Sequence, residues 1–173
     1  NTRIQKLKHI LIITNVIFFT YFIYQVISYN QKESFIFFDS KELIIIEKTG
    51  FQVNCYSTLQ PKENQDFESY KRENFIQKIY YKKTQNFLVV GKKKLFILDD
   101  QFTIPAPISP ADILVIHNNP KVNLERILIN LPPQYVVITP KNYKNNILYW
   151  TRILNKKNIP FHNMYEKGYY TIE

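Results

Sequence analysis

Residues 10–29, ILIITNVIFFTYFIYQVISY, contain no charged side chain. About 20 apolar residues are what an α-helix needs to cross the hydrocarbon core of a bilayer, so this run commits the start of the chain to a membrane helix. Arg3, Lys6 and Lys8 precede it closely, whereas Lys32 and Glu33 after it cancel. The positive-inside tendency then puts the N-terminus in the cytoplasm and the rest of the chain on the far side. A signal peptide has a shorter apolar core and a small-x-small cleavage site; this run is longer, and no such site follows. A buried core helix is the remaining alternative. Asn15 and Gln25 are costly against lipid and more comfortable against neighbouring helices, which favours a larger membrane assembly. The chain begins at Asn1 rather than Met, which fits a segment of a longer protein. Two regions are expected: residues 1–30 as a transmembrane helix with a basic cytoplasmic flank, and residues 31–173 as an extracytoplasmic α/β domain.

The 173 residues leave room for one soluble domain with a real core. Lys plus Arg total 23 against 14 Asp plus Glu, a net charge of +9. That balance favours contact with nucleic acid or anionic lipid, although a chain rich in Ile, Asn, Lys, Tyr and Phe also fits an A+T-rich genome with a merely solvated surface. Cys55 is the single cysteine, which excludes an intrachain disulfide and a cysteine-based zinc site.

Short β-branched and aromatic runs predict strands over 34–39, 43–48, 51–57, 87–90 and 95–98. Residues 60–64 and the proline-rich 101–110 read as loops, and 66–83 as a helix. The last third alternates: strand 113–117, helix 122–131, strand 135–139, helix 142–157, then a hairpin around Glu166-Lys167-Gly168. Leu124, Ile127, Leu128 and Leu131 follow helical spacing, with Asn119 as candidate cap and Pro120 at the first helical position. Ile147, Trp150, Ile153 and Leu154 form a second stripe. Strand–helix–strand alternation predicts an α/β layer with helices packed on a sheet.

The segments PQYVVITPKNY (133–143), the Trp150 helix, NIPFHN (158–163) and EKG (166–168) resemble the end of the ComEC-family competence protein. In that family a polytopic membrane channel is followed by a metallo-β-lactamase-like domain. The resemblance implies a truncated metallo-β-lactamase-like sheet-and-helix domain preceded by one transmembrane helix. It also implies a place in the inner-membrane machinery that conducts single-stranded DNA during natural transformation. FIFFDSKELIIIEKTGFQVNCY (35–56) looks like the opening strands, where the family carries Asp-Val-Gly-Gln-Gly-Asp; only Asp39 is roughly in register. Asp100, or Asp99, matches a family bridging carboxylate. His117-Asn118-Asn119 looks like the position of the family's His-His-Gly-Ser, so His117 matches and Asn118 departs.

Such a domain binds two metal ions through His-x-His-x-Asp-His, whose close spacing gathers imidazoles and a carboxylate around activated water. Here the three histidines are His9, His117 and His162, and no two lie within a turn of each other. Asp100 and His117 stay as remnant metal candidates; two ligands alone bind metal weakly. No catalytic residue and no cofactor is expected, and G-x-S-x-G, P-loop and G-x-G-x-x-G signatures are absent.

Lysines neutralise phosphates and tyrosines stack on unpaired bases. Lys92, Lys93, Lys94, Lys141, Lys144, Lys156 and Lys157 are therefore DNA-contact candidates, interleaved with Tyr143 and Tyr149; a further basic stretch runs through Lys71, Arg72, Lys78, Lys82 and Lys83 beside Tyr80 and Tyr81. The structural alternative is that the lysines only solvate the surface. Expected partners are the membrane, single-stranded DNA and other competence-machinery proteins. Two other functional readings remain: a stand-alone single-pass anchored α/β domain that binds a partner unrelated to DNA, and a residual hydrolase using Asp100 and His117.

Overall fold

The computed structural model describes residues 2–31, 34–39, 43–57, 64–100 and 111–172. Helix α1 (Thr2–Gln31) contains a candidate membrane span, Ile4–Ser28, with mean hydropathy 2.0 and no buried residue. Its polar side chains bond within the helix. Asn15 Nδ2 donates to the Leu11 carbonyl at 2.9 Å, Thr14 Oγ1 to Leu11 at 2.9 Å, and Gln25 Nε2 to Tyr21 Oη at 2.9 Å. These bonds lower the cost of a polar group in lipid.

The chain continues as β1 (Ser34–Asp39), β2 (Leu43–Thr49), β3 (Gln52–Ser57), α2 (Gln65–Glu73), β4 (Lys78–Lys83), β5 (Phe87–Val90) and β6 (Lys93–Leu98). It ends with β7 (Ile113–Ile116), α3 (Leu124–Asn130), β8 (Tyr135–Ile138), α4 (Lys144–Lys156), β9 (Phe161–Asn163), α5 (Met164–Lys167) and β10 (Tyr170–Ile172). The fold is mixed α/β, with two five-stranded sheets ordered β10-β1-β2-β3-β4 and β5-β6-β7-β8-β9. In the second sheet β6, β7, β8 and β9 run parallel.

Three apolar clusters stack the layers. Leu43, Ile45 and Tyr56 of the first sheet meet Leu88, Leu95, Ile97, Val115 and Val137 of the second. Ile44, Ile46, Val53 and Cys55, on the opposite face of the first sheet, pack under Phe67 of α2. The outer face of the second sheet, through Leu98, Leu114, Ile116 and Val136, carries α3 and α4, with Trp150 and Leu154 at the contact. The order is helix, sheet, sheet, helix. A strand covered on both faces reads as a continuous apolar run, which LIII, ILVI and YVVI do.

A polar tie and an aromatic stack join the sheets. The Glu47 carboxylate on β2 accepts from Asn54 Nδ2 at 3.0 Å and Tyr56 Oη at 3.0 Å, and reaches across to the Gly91 N–H of the β5–β6 turn at 2.8 Å. At the other edge the rings of Tyr135 and Tyr170 stack with centroids 5.2 Å apart, and His162 lies 5.0 Å from Tyr170.

The structure corrects four sequence expectations. The predicted helix over 66–83 breaks: α2 stops at Glu73, and Lys78–Lys83 forms a strand parallel to β3. Its apolar positions do not sustain a helical stripe, while alternate residues Ile79 and Tyr81 suit an edge strand guarded by lysines. The cap of α3 is Asn123, whose Oδ1 accepts from the Arg126 N–H at 3.1 Å; Asn119 has φ 54, outside the extended region that an N-cap needs. Helix α4 begins at Lys144, because Asn142 is used in the preceding loop. The expected terminal hairpin is a crossover: α5 ends at Gly168, whose φ of 76 is unstrained for glycine, and β10 pairs with β1 of the other sheet. The expected loops at 60–63 and 101–110 lie outside the described residues.

Burial raises the Cys55 thiol from 9.0 to about 12, with Lys71 opposing. Burial, then Glu47, raises Tyr56 from 10.0 to about 12; burial, then Tyr135, raises Tyr170 from 10.0 to about 12. Each folded-state value lies above the unfolded one. The stability they contribute is complete below the unfolded pKa and is lost as pH climbs to the folded one. Lys48, lowered by burial, acts in the opposite sense. The thermal midpoint of the domain should hold to about pH 9 and fall between about pH 9 and 12. Cys55→Ala should delay the onset toward pH 10; a midpoint that starts falling at the same pH in this variant contradicts the assignment.

Candidate functional site

The parallel strands of the second sheet set one rim. In α/β sheets, ligands bind outside the carboxyl ends of such strands, and here the chain leaves them at Asp99, His117 and Thr139. The His117 N–H donates to the Leu98 carbonyl at 2.9 Å, so the structure brings Asp100 and His117 to the same rim. Asp100 is exposed; Asp99 accepts from Asn86 Nδ2 at 3.1 Å.

His117 Nδ1 lies 2.9 Å from Oγ1 of the buried Thr139. Behind it is a lacework of amide side chains. Buried Asn142 donates from Nδ2 to the carbonyls of Ile116 and Thr139, both at 2.8 Å, and its Oδ1 accepts from the Asn119 N–H at 2.8 Å. Asn119 Nδ2 donates to the Lys141 carbonyl at 3.2 Å, and its Oδ1 accepts from the Tyr143 N–H. Tyr143 provides no side-chain cap for α4, so Asn119 caps that helix from the neighbouring loop. Asn118 and Asn119 have φ of 57 and 54, a left-handed conformation that asparagine tolerates better than most residues.

A two-metal centre does not fit this rim. Among the described residues no group of three or more His, Cys, Asp or Glu is placed to hold a metal ion. His117 Nδ1 faces Thr139 Oγ1, and the nearby amides of Asn119 and Asn142 are engaged with backbone. His162 faces Gly168 through Nε2, 3.1 Å from its carbonyl, at the β9 edge, and His9 lies in α1. Asp39 is the end of β1.

The candidate lysines divide between two ends of the second sheet. Lys92 lies in the β5–β6 turn and Lys93 and Lys94 open β6, at the amino end of the parallel strands. Lys141 lies in the loop after β8, and Lys144 opens α4, at the carboxyl end. Helix α4 returns over about 20 Å and delivers Lys156 and Lys157 to the amino end, before β9. Lys92 to Lys94 and Lys156–Lys157 therefore share an end, and Lys141 and Lys144 do not join them. Tyr143 and Tyr149 are exposed.

A further surface, which the predicted long helix conceals, lies where α2 gives way to β4. The helix ends in a Schellman turn, with Ile76 N–H on the Lys71 carbonyl at 3.0 Å and Phe75 N–H on Arg72 at 3.3 Å. Phe75 takes the left-handed position at φ 52, where glycine or asparagine is favoured; the cost is about 1–2 kcal/mol. Its side chain is 73% exposed. Beside it an open groove of about 530 Å³ is lined by Lys71, Arg72, Phe75, Ile76, Gln77 and Ile79. Lys71 pairs with Glu68. The Gln77 N–H donates to the Phe51 carbonyl at 2.8 Å, which brings the exposed Phe51 turn alongside. Lys78, Tyr80, Tyr81, Lys82 and Lys83 follow on the exposed edge strand.

Removing the amide of Asn142 takes the acceptor from the Asn119 N–H and one of two donors from each of the Ile116 and Thr139 carbonyls, which keep the backbone N–H groups of Thr139 and Asn142. Asn142→Ala should destabilise the domain by about 1–3 kcal/mol in urea unfolding. A change below about 0.5 kcal/mol would show that water replaces these bonds without loss.

A family model described as ComEC C-terminal domain matches residues 5–173, and the chain belongs to that family. No curated protein and no solved structure matches the chain.

Proposed function

We propose that this ComEC-family chain is the last membrane helix and the extracytoplasmic C-terminal domain of an inner-membrane DNA-uptake channel protein, and that the domain guides or supports single-stranded DNA without cutting it. The observation that carries this reading is the family match across residues 5–173. The family is that of competence DNA uptake at a membrane, and the Ile4–Ser28 span supplies a helix long enough to cross one. Arg3, Lys6 and Lys8 support a cytoplasmic N-terminus, which puts the α/β domain on the other side. The helix–sheet–sheet–helix stack supports its reading as a truncated metallo-β-lactamase-like domain.

Binding is favoured over hydrolysis because the donor set for two metal ions is not in the sequence. Asp100 and His117 are the two remnant candidates, and Asn118, Asn119 and Asn142 share the rim with them. The full chain in nanodiscs, equilibrated with zinc or manganese and desalted, should retain far less than one equivalent of metal. One tightly held equivalent would overturn this reading and restore the hydrolase.

A second reading has one observation in its favour. Asn15 and Gln25 each place an amide donor on a partner inside α1, which lowers their cost in lipid without help from neighbouring helices. That suits a stand-alone anchored domain that binds a partner unrelated to DNA.

A salt series separates the two. The full chain in zwitterionic nanodiscs should bind labelled single-stranded DNA, with log K falling as log salt rises by about 0.7 per phosphate neutralised. Neutralising Lys92, Lys93 and Lys94 together to Gln should flatten that slope by about 2. An unchanged slope removes this end of the sheet from the contact. No binding at low salt rejects the DNA reading in favour of the anchored domain.

A further inference from the structure

We propose that the groove at the α2–β4 junction is a stacking site for an unpaired base of single-stranded nucleic acid, with Phe75 as platform and Arg72 as the principal phosphate contact. The proposal rests on the DNA-guiding reading and gives it a site outside the lysines of the second sheet. Phe75 is unfavourable twice over where it stands. It occupies a left-handed position that suits glycine or asparagine, although Asn74 lies one residue earlier, and it holds its ring 73% exposed. Strain of this kind that gains no buried contact is a pointer to function. Phe75 lines an open groove of about 530 Å³, wide enough to admit one base.

Charge selects the ligand. The groove's lining residues include two cations, Lys71 and Arg72, and no carboxylate. Lys71 is paired with Glu68, whereas the Arg72 guanidinium makes a long bond of 3.3 Å to Ser69 Oγ, easily exchanged for a phosphate oxygen. An exposed aromatic face beside a guanidinium fits a base with its flanking phosphate, and any base offers a π-face. Duplex DNA has no unstacked base to offer, so single strands should be preferred.

Phe75→Gly makes a clean test, because glycine is the favoured residue at this turn and the variant should fold at least as stably as the parent. With the full chain in zwitterionic nanodiscs, it should weaken binding of a labelled mixed-sequence single strand by about fivefold or more. Its thermal midpoint should not fall. Phe75→Trp should retain affinity, and its added fluorescence should be quenched by the oligonucleotide; the parent, whose Trp150 is buried, serves as blank. Arg72→Gln should weaken binding and flatten the salt dependence. Single-strand affinity unchanged within twofold in Phe75→Gly overturns the site. If that occurs while the Lys92–Lys94 variant still weakens binding, the DNA-guiding reading survives without it. If the parent does not bind single strands at all, both fall. Quenching of the Phe75→Trp signal by brominated lipid, with no response to DNA, would reassign the groove to the membrane surface and also overturn the proposal.

Discussion

The apolar segments of β6, β7 and β8 are buried on both faces, so each needs cover on two sides at once. Helices α3 and α4 supply one side, and the first sheet supplies the other. The first sheet is then itself half covered, and the alternation within Leu43–Ile46 sends Ile44 and Ile46 outward to be closed by α2 and Phe67. The layer count follows from this demand for burial. The crossover of the last strand follows too. With β9 at the edge of the second sheet and β10 at the edge of the first, the C-terminal residues bind the two sheets together, and Tyr135, His162 and Tyr170 fill the seam.

Apolar contact does not by itself fix how one sheet sits against another, because it is non-directional. The Glu47 carboxylate adds direction. Two of its bonds stay within the first sheet, and the third goes to a backbone N–H of the second, in a turn where Gly91 has φ 59. The Asn119–Asn142 pair does the same for two loops at the opposite rim. Both ties use a side chain to satisfy a backbone group that a tight turn leaves without a ladder partner.

Where burial sets the pattern, the fold was legible. The runs LIII, LFIL, ILVI and YVVI read as strands, and the Leu124 and Trp150 stripes as helices, because each must present apolar residues at a fixed period. Strand β4 was not legible: Lys78-Ile79-Tyr80-Tyr81-Lys82-Lys83 buries little, and an edge strand shows no apolar run. The end of α2 was hidden because the left-handed residue is Phe75, with the expected asparagine one step early. The cap of α3 was misplaced because Asn119 and Asn123 are chemically alike, and only the backbone angle separates them. The lysines were readable as charges but not as a surface, since their division between two sheet ends depends on the direction in which α4 returns.

The rim at the carboxyl ends of the parallel strands is held by side chains rather than by the sheet ladder. What such a rim requires is that its turn backbones remain bonded. Here Asn142 ties Ile116 and Thr139, Asn119 caps α4, and Thr139 holds His117. Amide side chains, with donor and acceptor on one group, close a network that imidazoles and carboxylates without a metal would leave partly unpaired. The residues that make the rim unsuited to two metal ions are the ones that make it self-sufficient as structure.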